Sequence, residues 1–438
     1  MKLSIVVPVL EEADRIGAAL AELAPLRRAG HEVIVVDGGS TDGTSRRAAA
    51  QADRVLASPR GRAAQMNVGA CVATGDALLF LHADCRLPAG AGEAIAGALG
   101  RGRRWGRFDV ALEGGSPALP MVAAMMNARS AATGICTGDQ ALFVERAAFE
   151  AIGGFPPIAL MEDVAISRLL KDRAGPPARL RERVVASGRR WDRDGAWPTI
   201  RSMWSLRWAY WRGADPRDLA RRYYGVEPRG APQLLVFAKA PVPGRVKTRL
   251  ARTIGDGAAA LAYRALAERT LATAAAARRA GVVADVELWL DPESDAATVE
   301  PWRERFGTTI ERQAGADLGA RMRHALRASL ARGRPAILIG TDVPGYDVAY
   351  LAAATAALDR RDAVIGPAMD GGYVLIGLAR DVDAFAGVPW STAGVLEATR
   401  ARLAAAGASH DELAPLRDVD TYDDYLQWQA RPTIGASA

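Results

Sequence analysis

Glu32-Val33-Ile34-Val35-Val36-Asp37-Gly38-Gly39-Ser40-Thr41-Asp42-Gly43-Thr44 joins a β-branched-rich run, Glu32–Asp37, to a turn of Gly, Ser, Thr and Asp. A short apolar run stopped in this way suits a strand buried on both faces. Leu3–Val9 and Ala77–His82 are two further runs of the kind, and the helix-like stretch Ile16–Leu26 separates the first two. Strands alternating with helices predict a mostly parallel, doubly wound α/β sheet, whose ligands bind beyond the carboxyl ends of the strands. The residues that follow each run therefore matter most. They are Pro8-Val9-Leu10-Glu11-Glu12, Asp37 to Thr44, and His82-Ala83-Asp84.

The rhythm restarts after Tyr223. Gln233–Lys239, Val286–Leu290, Ala336–Gly340, Ala363–Gly366 and Tyr373–Gly377 predict the strands of a second α/β domain, with no visible sequence repetition of the first. A chain of 438 residues exceeds the length at which one apolar core divides. The expected organisation is a first domain over 1–226, a Gly/Pro-rich linker over 227–232 and a second domain over 233–438. Half the residues are apolar and 24% are charged, which excludes a disordered chain.

The net charge of +6 comes from scattered arginines and fits small polyanionic substrates or a membrane surface as well as nucleic acid. No aromatic-basic single-strand motif or recognition helix accompanies it, so no nucleic-acid partner is expected. Cys71, Cys85 and Cys136 show no CxxC spacing and no histidine placed to complete a zinc cluster, which predicts reduced thiols. No apolar run spans a bilayer, and acidic residues follow the first strand where a signal peptide would be cleaved. The expected location is cytoplasmic, with peripheral contact at the inner face of the membrane as an addition. Oligomeric state is not legible.

A carboxylate at a strand end can accept the imide N–H of a uracil-type base or a ribose hydroxyl, and a Gly-Ser-Thr turn lets the backbone approach a ligand. Ser40 to Thr44 are equally well explained as turn and helix-capping residues. Arg62, in Arg60-Gly61-Arg62-Ala63-Ala64-Gln65-Met66-Asn67, suits pairing with phosphate or stacking on a base, and suits a solvated helix start as well.

VPVLEE, VVDGGSTDGT and LHADCRLP, in that order, resemble glycosyltransferase family 2. The resemblance implies a GT-A, nucleotide-diphospho-sugar transferase fold and an inverting transfer from a UDP-, GDP- or dTDP-sugar to an unknown acceptor. Glu11 and Asp37 match nucleoside-contacting positions, and Pro8, Ser40, Arg62 and Asn67 complete the implied nucleotide set. Asp84 matches the metal-binding aspartate, which implies Mg²⁺ or Mn²⁺ as cofactor. His82 stands where the first acidic residue of that element is usual.

Gly138-Asp139-Gln140, Gly153-Gly154-Phe155-Pro156 and Met161-Glu162-Asp163 resemble the acceptor-side half of the family. Inverting transfer needs a base for the acceptor hydroxyl, a role implied for Asp163 with Glu162 beside it. A helix-start carboxylate favoured by the dipole is the plainer reading. Arg189-Arg190-Trp191 resembles the QxxRW element with Ser187 in place of glutamine, so Arg190 is expected to hold the departing diphosphate. The first half is most similar to the bacterial branch labelled for arsenosugar biosynthesis, a label that fixes no substrate. Between Trp197 and Trp211, Trp204, Trp208 and Trp211 recur at helical i, i+4, i+7 spacing. Such a stripe is more often core than anything else, and a basic, Trp-bearing helix also suits a membrane interface or a lipid-acceptor site.

In the second half, Lys239, Arg245, Lys247 and Arg249 lie in a Gly/Pro loop between a strand and a helix, which predicts a triphosphate cradle. It lacks the Walker A pattern. Asp342 and Asp370 end later strands, where they suit a divalent metal. FAKAPVPGRVKTRL, IGTDVPG, GPAMDGGYVLIG and VPWST together resemble the DUF2064 family, which implies a nucleotidyltransferase-like domain. Met369 stands where an acidic residue commonly precedes DGGY. The expected protein is a bifunctional transferase whose second domain acts on a nucleotide or sugar phosphate. The alternative is an active first domain with a nucleotide-binding regulatory module that lacks catalysis.

Overall fold

The computed structural model describes residues 1–225 and 230–430, so residues 227–229 of the expected linker lie outside the described residues. The chain divides into two compact units, Met1–Arg229 with Arg279–Gly281, and Gly230–Arg278 with Val282–Ala438.

The first unit carries strands β1 Leu3–Val9, β2 Glu32–Asp37, β3 Arg54–Ala57, β4 Ala77–Phe80, β5 Cys85–Arg86, β6 Trp105–Glu113, β7 Leu142–Glu145 and β8 Ala178–Ser187. They form one eight-stranded sheet in the order β3-β2-β1-β4-β7-β6-β8-β5. β1 pairs in parallel with β2 and β4, placing Val9 beside Asp37 and Val6 beside Phe80. All three strands therefore deliver their following loops to one edge. The expectation of a mostly parallel sheet holds for β1 to β4 and for the pair β6 and β8. β7 runs antiparallel to β4 and β6, and β5 antiparallel to β8, which makes the sheet mixed. Connections long enough for a helix keep the first strands parallel, whereas β7 returns from helix Leu119–Thr133 in the opposite sense.

Leu3, Ile5, Val33, Val35, Leu79, Phe108 and Phe143 are buried in the main core, as expected of strands covered on both faces. Gln65 is buried there too, and its Nε2 donates to the carbonyls of Val9 (2.8 Å) and Val36 (2.9 Å). It satisfies carbonyls at the strand ends and fixes the mouth of the sheet. Two satellite clusters hold the later helices. Leu119, Val122 and Trp191 form one, and Leu160, Val164, Leu206 and Leu219 the other.

The second unit carries β9 Gln233–Ala238, β10 Asp285–Leu290, β11 Thr309–Arg312, β12 Ala336–Gly340, β13 Ala363–Pro367, β14 Tyr373–Leu378 and β15 His410–Glu412. Its order is β11-β10-β9-β12-β14-β13-β15. Four parallel strands followed by an antiparallel one repeat the plan of the first unit, although the two sequences show no repetition.

Among the described residues, no helix is long and apolar enough to cross a membrane. Trp197, Trp204, Trp208 and Trp211 all lie exposed on helix Ala196–Trp211, which overturns the core reading of this stripe. The side the helix buries is the opposite one, through Thr199 and Leu206.

Candidate functional site

Beyond the sheet edge of the first unit lies a cleft of about 330 Å³ whose lining includes Arg62, His82, Asp84, Asp139, Glu162, Asp163 and Arg190. Segments more than one hundred residues apart converge there. Asp84 directly precedes β5, and its carboxylate is one-third exposed, 4.0 Å from Arg189 Nη2. His82 turns toward Asp139, with Nδ1 3.7 Å from Oδ1. Its ring packs so tightly that a Cβ at Gly138 would come within 2.1 Å of it, so residue 138 has room only for glycine. Burial pushes the Asp139 carboxyl up, but the His82 imidazole together with the Arg62 and Arg129 charges outweighs it and the net shift is downward.

His82, Cys85 and Asp139 bring their ligand atoms within 4.8 Å of one another. This corrects the expectation that no histidine completes a metal-type group with a cysteine. The chain turn after β4 supplies the partner that spacing alone did not suggest. Burial pushes the Cys85 thiol well above its ordinary value, so the Asp139 carboxylate is the anionic member of the group. Asp139 is thus the cleft carboxylate that its motif position left without a role, and its proximity to His82 is visible only after folding.

Glu162 and Asp163 open helix Glu162–Ala174, and Met161 before them adopts a left-handed φ of 72°. Asp163 is half-buried and its Oδ1 accepts from Val164 N at 2.7 Å. Burial, then the neighbouring Asp163 charge, holds the Glu162 carboxyl above its ordinary value. Burial alone would lower the Arg62 guanidinium, yet Tyr224 and the carboxylates of Glu162, Asp139 and Asp163 outweigh it and raise it. Arg62, exposed at the start of helix Arg62–Val72, is therefore a cation facing the acidic side of the cleft.

The raised Glu162 pKa has a consequence for stability. The native state holds the Glu162 proton more tightly than the unfolded chain, so stability is full below the ordinary value of 4.5 and falls as pH rises toward the raised native one. Glu162→Gln keeps the shape and removes the buried charge. It is expected to raise Tm at pH 7.5 by about 2–4 °C and to flatten the decline of Tm above pH 5. Thermal melts of both proteins across that range check this, and an unchanged or lower Tm at neutral pH contradicts the assignment.

Arg190 stacks with its guanidinium 4.1 Å over the Tyr223 ring and donates to the Tyr223 hydroxyl, while its Nε is buried without a hydrogen-bond partner. Burial lowers its pKa.

Pro8, Glu11, Asp37, Ser40 and Asn67 do not line this cleft. Asp37 is buried and accepts from Ser40 N (2.8 Å), Ser40 Oγ (2.7 Å) and Gly39 N (3.1 Å). Glu11, with φ 53°, accepts from Thr41 N at 2.9 Å while its own N–H donates to Ser40 Oγ. Both carboxylates hold the turn over 38–42 in shape, as the turn reading of this stretch supposes. Asn67 is corrected outright. Its Oδ1 accepts from Phe155 N at 2.9 Å and its Nδ2 donates to Phe155 O at 2.8 Å. The side chain is buried and satisfied, and it ties helix Arg62–Val72 to the Gly-Gly-Phe-Pro loop rather than facing a nucleotide.

In the second unit the basic loop is not a set of free cations. Lys247, with φ 47°, is buried and its Nζ lies 2.9 Å from Asp342 Oδ2 and 3.5 Å from Asp420 Oδ1. Arg249 Nη1 pairs with Asp420 at 2.8 Å, and Arg245 Nη1 donates to Glu293 O at 3.3 Å. Lys239 remains exposed, its backbone N–H bonded to Tyr263 Oη. The cradle expected from the sequence is thus partly spent on carboxylates, because β12 and the segment at 418–420 bring acids against it. Burial, then Asp342 and Asp370, raises the Asp418 pKa, so three aspartates share the edge. Asp418 and Asp420 lie in an RDVD run between β15 and helix Tyr422–Gln429, and its placement beside Asp342 had no local signal.

This fold and cleft define the nucleotide-diphospho-sugar transferase class. Residues 4–115 match Glycosyl transferase family 2, and residues 270–392 match an uncharacterized protein family conserved in bacteria, DUF2064. The first match lies in the first unit of the chain and the second falls on its second unit. It is 33% identical to a candidate nucleotide-diphospho-sugar transferase from Desulfovibrio desulfuricans G20, covering 48% of this chain and 90% of that one with a TM-score of 0.43. Glucosyl-3-phosphoglycerate synthase from Mycobacterium tuberculosis, solved with Mn²⁺, UDP and glucosyl-3-phosphoglycerate, is 22% identical over 44% of this chain and 75% of its own, with a TM-score of 0.34. S. aureus TarS 1–349 with UDP-GlcNAc is 18% identical over 43% and 58%, with a TM-score of 0.35. No curated protein matches the chain.

Proposed function

We propose that the first unit is a metal-dependent, inverting glycosyltransferase using a nucleotide-sugar donor. The observation that carries this reading is the convergence of Asp84, Asp163 and Arg190 on one cleft beyond the parallel strands of a mixed sheet. Asp84, with Asp139 and His82 beside it, offers oxygen and nitrogen donors of the kind Mg²⁺ or Mn²⁺ accepts. A bound ion would supply charge neutralisation to the departing diphosphate. Arg190 holds that diphosphate from the other side, its guanidinium positioned by the Tyr223 ring. Asp163 takes the proton of the acceptor hydroxyl as it attacks the anomeric carbon. Arg62 fixes the acidic side of the cleft and counters the negative charge of Glu162. Pro8, Glu11, Asp37 and Ser40 form the turn bed on which the nucleoside rests. Domains over 1–226 and 233–438, joined by 227–232, accommodate both sites.

In the second unit Asp342 and Asp370, with Asp418 near them, are proposed to hold a divalent ion for a nucleotide or sugar phosphate, with Lys239 and Arg245 on the phosphate side. The pairing of Lys247 with Asp342 favours the alternative, a binding module without catalysis, because an ammonium already neutralises that carboxylate. Calorimetric titration of the full chain with nucleoside triphosphates and Mg²⁺ separates these. Heat that persists in Asp84→Ala but vanishes in Asp342→Asn assigns a nucleotide site to the second unit. The same heat in Asp342→Asn removes that assignment, and product formation decides between enzyme and module.

A further inference from the structure

Helix Ala196–Trp211 exposes four tryptophans to solvent. Trp197, Trp204, Trp208 and Trp211 are 73%, 62%, 61% and 71% exposed. Their spacings of seven, four and three residues set all four on one helical face. Arg201 and Arg212 share this side, with Arg212 Cζ 5.1 Å over the Trp208 ring, and residues 196–214 contain no acidic residue. Exposed tryptophans interleaved with arginine match the chemistry of an anionic lipid interface, where the indole lies at headgroup depth and the guanidinium pairs with phosphate.

The same helix also walls the cleft. Trp204, Met203 and Ile200 face it from this helix, and Met125, Met126 and Val122 from helix Leu119–Thr133. A hydroxylated sugar has little use for such a wall, whereas an alkyl chain does. Arg129 lies in this cleft with Nε and one terminal nitrogen buried and without a hydrogen-bond partner. Burial, with the nearby Arg207 adding to it, brings this guanidinium down to about 10. Of the four arginines lining this partly apolar cleft, Arg190 keeps one buried donor without a hydrogen-bond partner and Arg129 two, and such donors call for an anion.

We propose that the cleft takes as its sugar acceptor a membrane-held amphiphile whose phosphate-bearing head sits on Arg129, whose chain follows the methionine wall, and whose bilayer receives the Trp197–Trp211 face. The inference rests on the transferase reading and names its acceptor class. In the transfer a hydroxyl oxygen of the head bonds to the anomeric carbon and its proton passes to Asp163. The carbon–oxygen bond to the diphosphate breaks, and the nucleoside diphosphate leaves with that electron pair.

Two binding measurements without any sugar donor test this. Lauroyl lysophosphatidylglycerol, kept monomeric, is titrated into the full chain beside lauroyl lysophosphatidylcholine, which has the same tail, and glycerol phosphate, which has the head alone. The anionic amphiphile is expected to bind at least about ten-fold tighter than either, and Arg129→Gln to lose that preference while its Tm holds or rises. Vesicles of phosphatidylglycerol and phosphatidylcholine are expected to co-float the protein with a blue shift of tryptophan emission. Serine at 204, 208 and 211 together removes the flotation without lowering Tm, since these side chains are solvent-exposed.

Equal affinity for the three probes, an unchanged preference in Arg129→Gln, or absence of flotation overturns the proposal. In the last case the tryptophan face is left to a protein partner. Because no donor is present, these failures leave the transferase reading standing. Conversely, intact lipid binding without turnover on any nucleotide sugar counts against the transferase reading and not against the lipid site.

Discussion

Asp163→Asn is expected to keep the fold and to lose about 10³-fold in turnover, within the range a positioned general base contributes. Asparagine is isosteric and its side-chain oxygen can still accept from Val164 N, the one hydrogen bond the Asp163 carboxylate makes. Helix Glu162–Ala174 therefore starts as before. What is lost is the group that accepts a proton in the cleft, since an amide is not a base near neutral pH. The measurement is kcat at saturating donor over a panel of UDP-, GDP- and dTDP-sugars with Mn²⁺, paired with a melt to confirm folding. Turnover like that of the wild type would remove Asp163 from the reaction and pass the role to Glu162. Burial, and then the Asp163 charge, hold the Glu162 carboxyl above its ordinary value, which makes it a better proton acceptor than a solvated glutamate.

Asp84→Ala is the second large effect. The carboxylate is one-third exposed, its nearest cation is 4.0 Å away, and the further contact is a weak one from the Cys85 thiol at 3.7 Å. It has little to contribute to stability, so Tm should move little. Turnover should fall by about 10³-fold, the order lost when a group stabilising charge on a departing oxygen is removed. Mn²⁺ titration adds an independent readout, because removing a ligand raises the metal concentration required for half-maximal rate. A variant with unaltered turnover and unaltered Mn²⁺ requirement would place the ion elsewhere, with His82 and Asp139 the next donors to test. A fully active enzyme in the presence of chelator would remove the metal altogether.

These two substitutions differ from Glu162→Gln in what they do to stability, and the contrast is itself informative. Glu162 is buried with a like charge beside it, a cost the fold bears without return unless the cleft uses it. Asp84 and Asp163 are less enclosed and cost less. A chain in which Glu162→Gln gains Tm and loses activity shows a site maintained against stability.

The strands before the site were legible locally. Leu3–Val9 and Glu32–Asp37 were bounded correctly because a run of β-branched residues closed by Gly, Pro or charge is a short-range signal. The third run was set two residues too long, at His82 instead of Phe80, because the turn that aims His82 at Asp139 looks apolar in sequence. The motif order VPVLEE, VVDGGSTDGT and LHADCRLP carried the family, and with it Asp84, Glu162, Asp163, Arg62 and Arg190, which the fold gathers in one cleft.

Partners far apart in the chain decided the rest. Asn67 reads like a nucleotide ligand until Phe155, across the fold, satisfies both ends of its amide. Lys247 reads like a phosphate-binding cation until Asp342 and Asp420 meet it. Arg129 carried no signal at all, since a guanidinium left unpaired by burial is a property of its surroundings.

The tryptophans mark the boundary most plainly. Periodicity along 197–211 determined that one side of a helix is aromatic, because the 3.6-residue repeat is written in the chain itself. It could not determine which side meets protein. Tertiary packing decided that, by seating Leu206 among Leu160, Val164 and Leu219 and leaving the indoles outside. The seat belongs to whichever face finds complementary neighbours, and those neighbours lie tens of residues away in sequence.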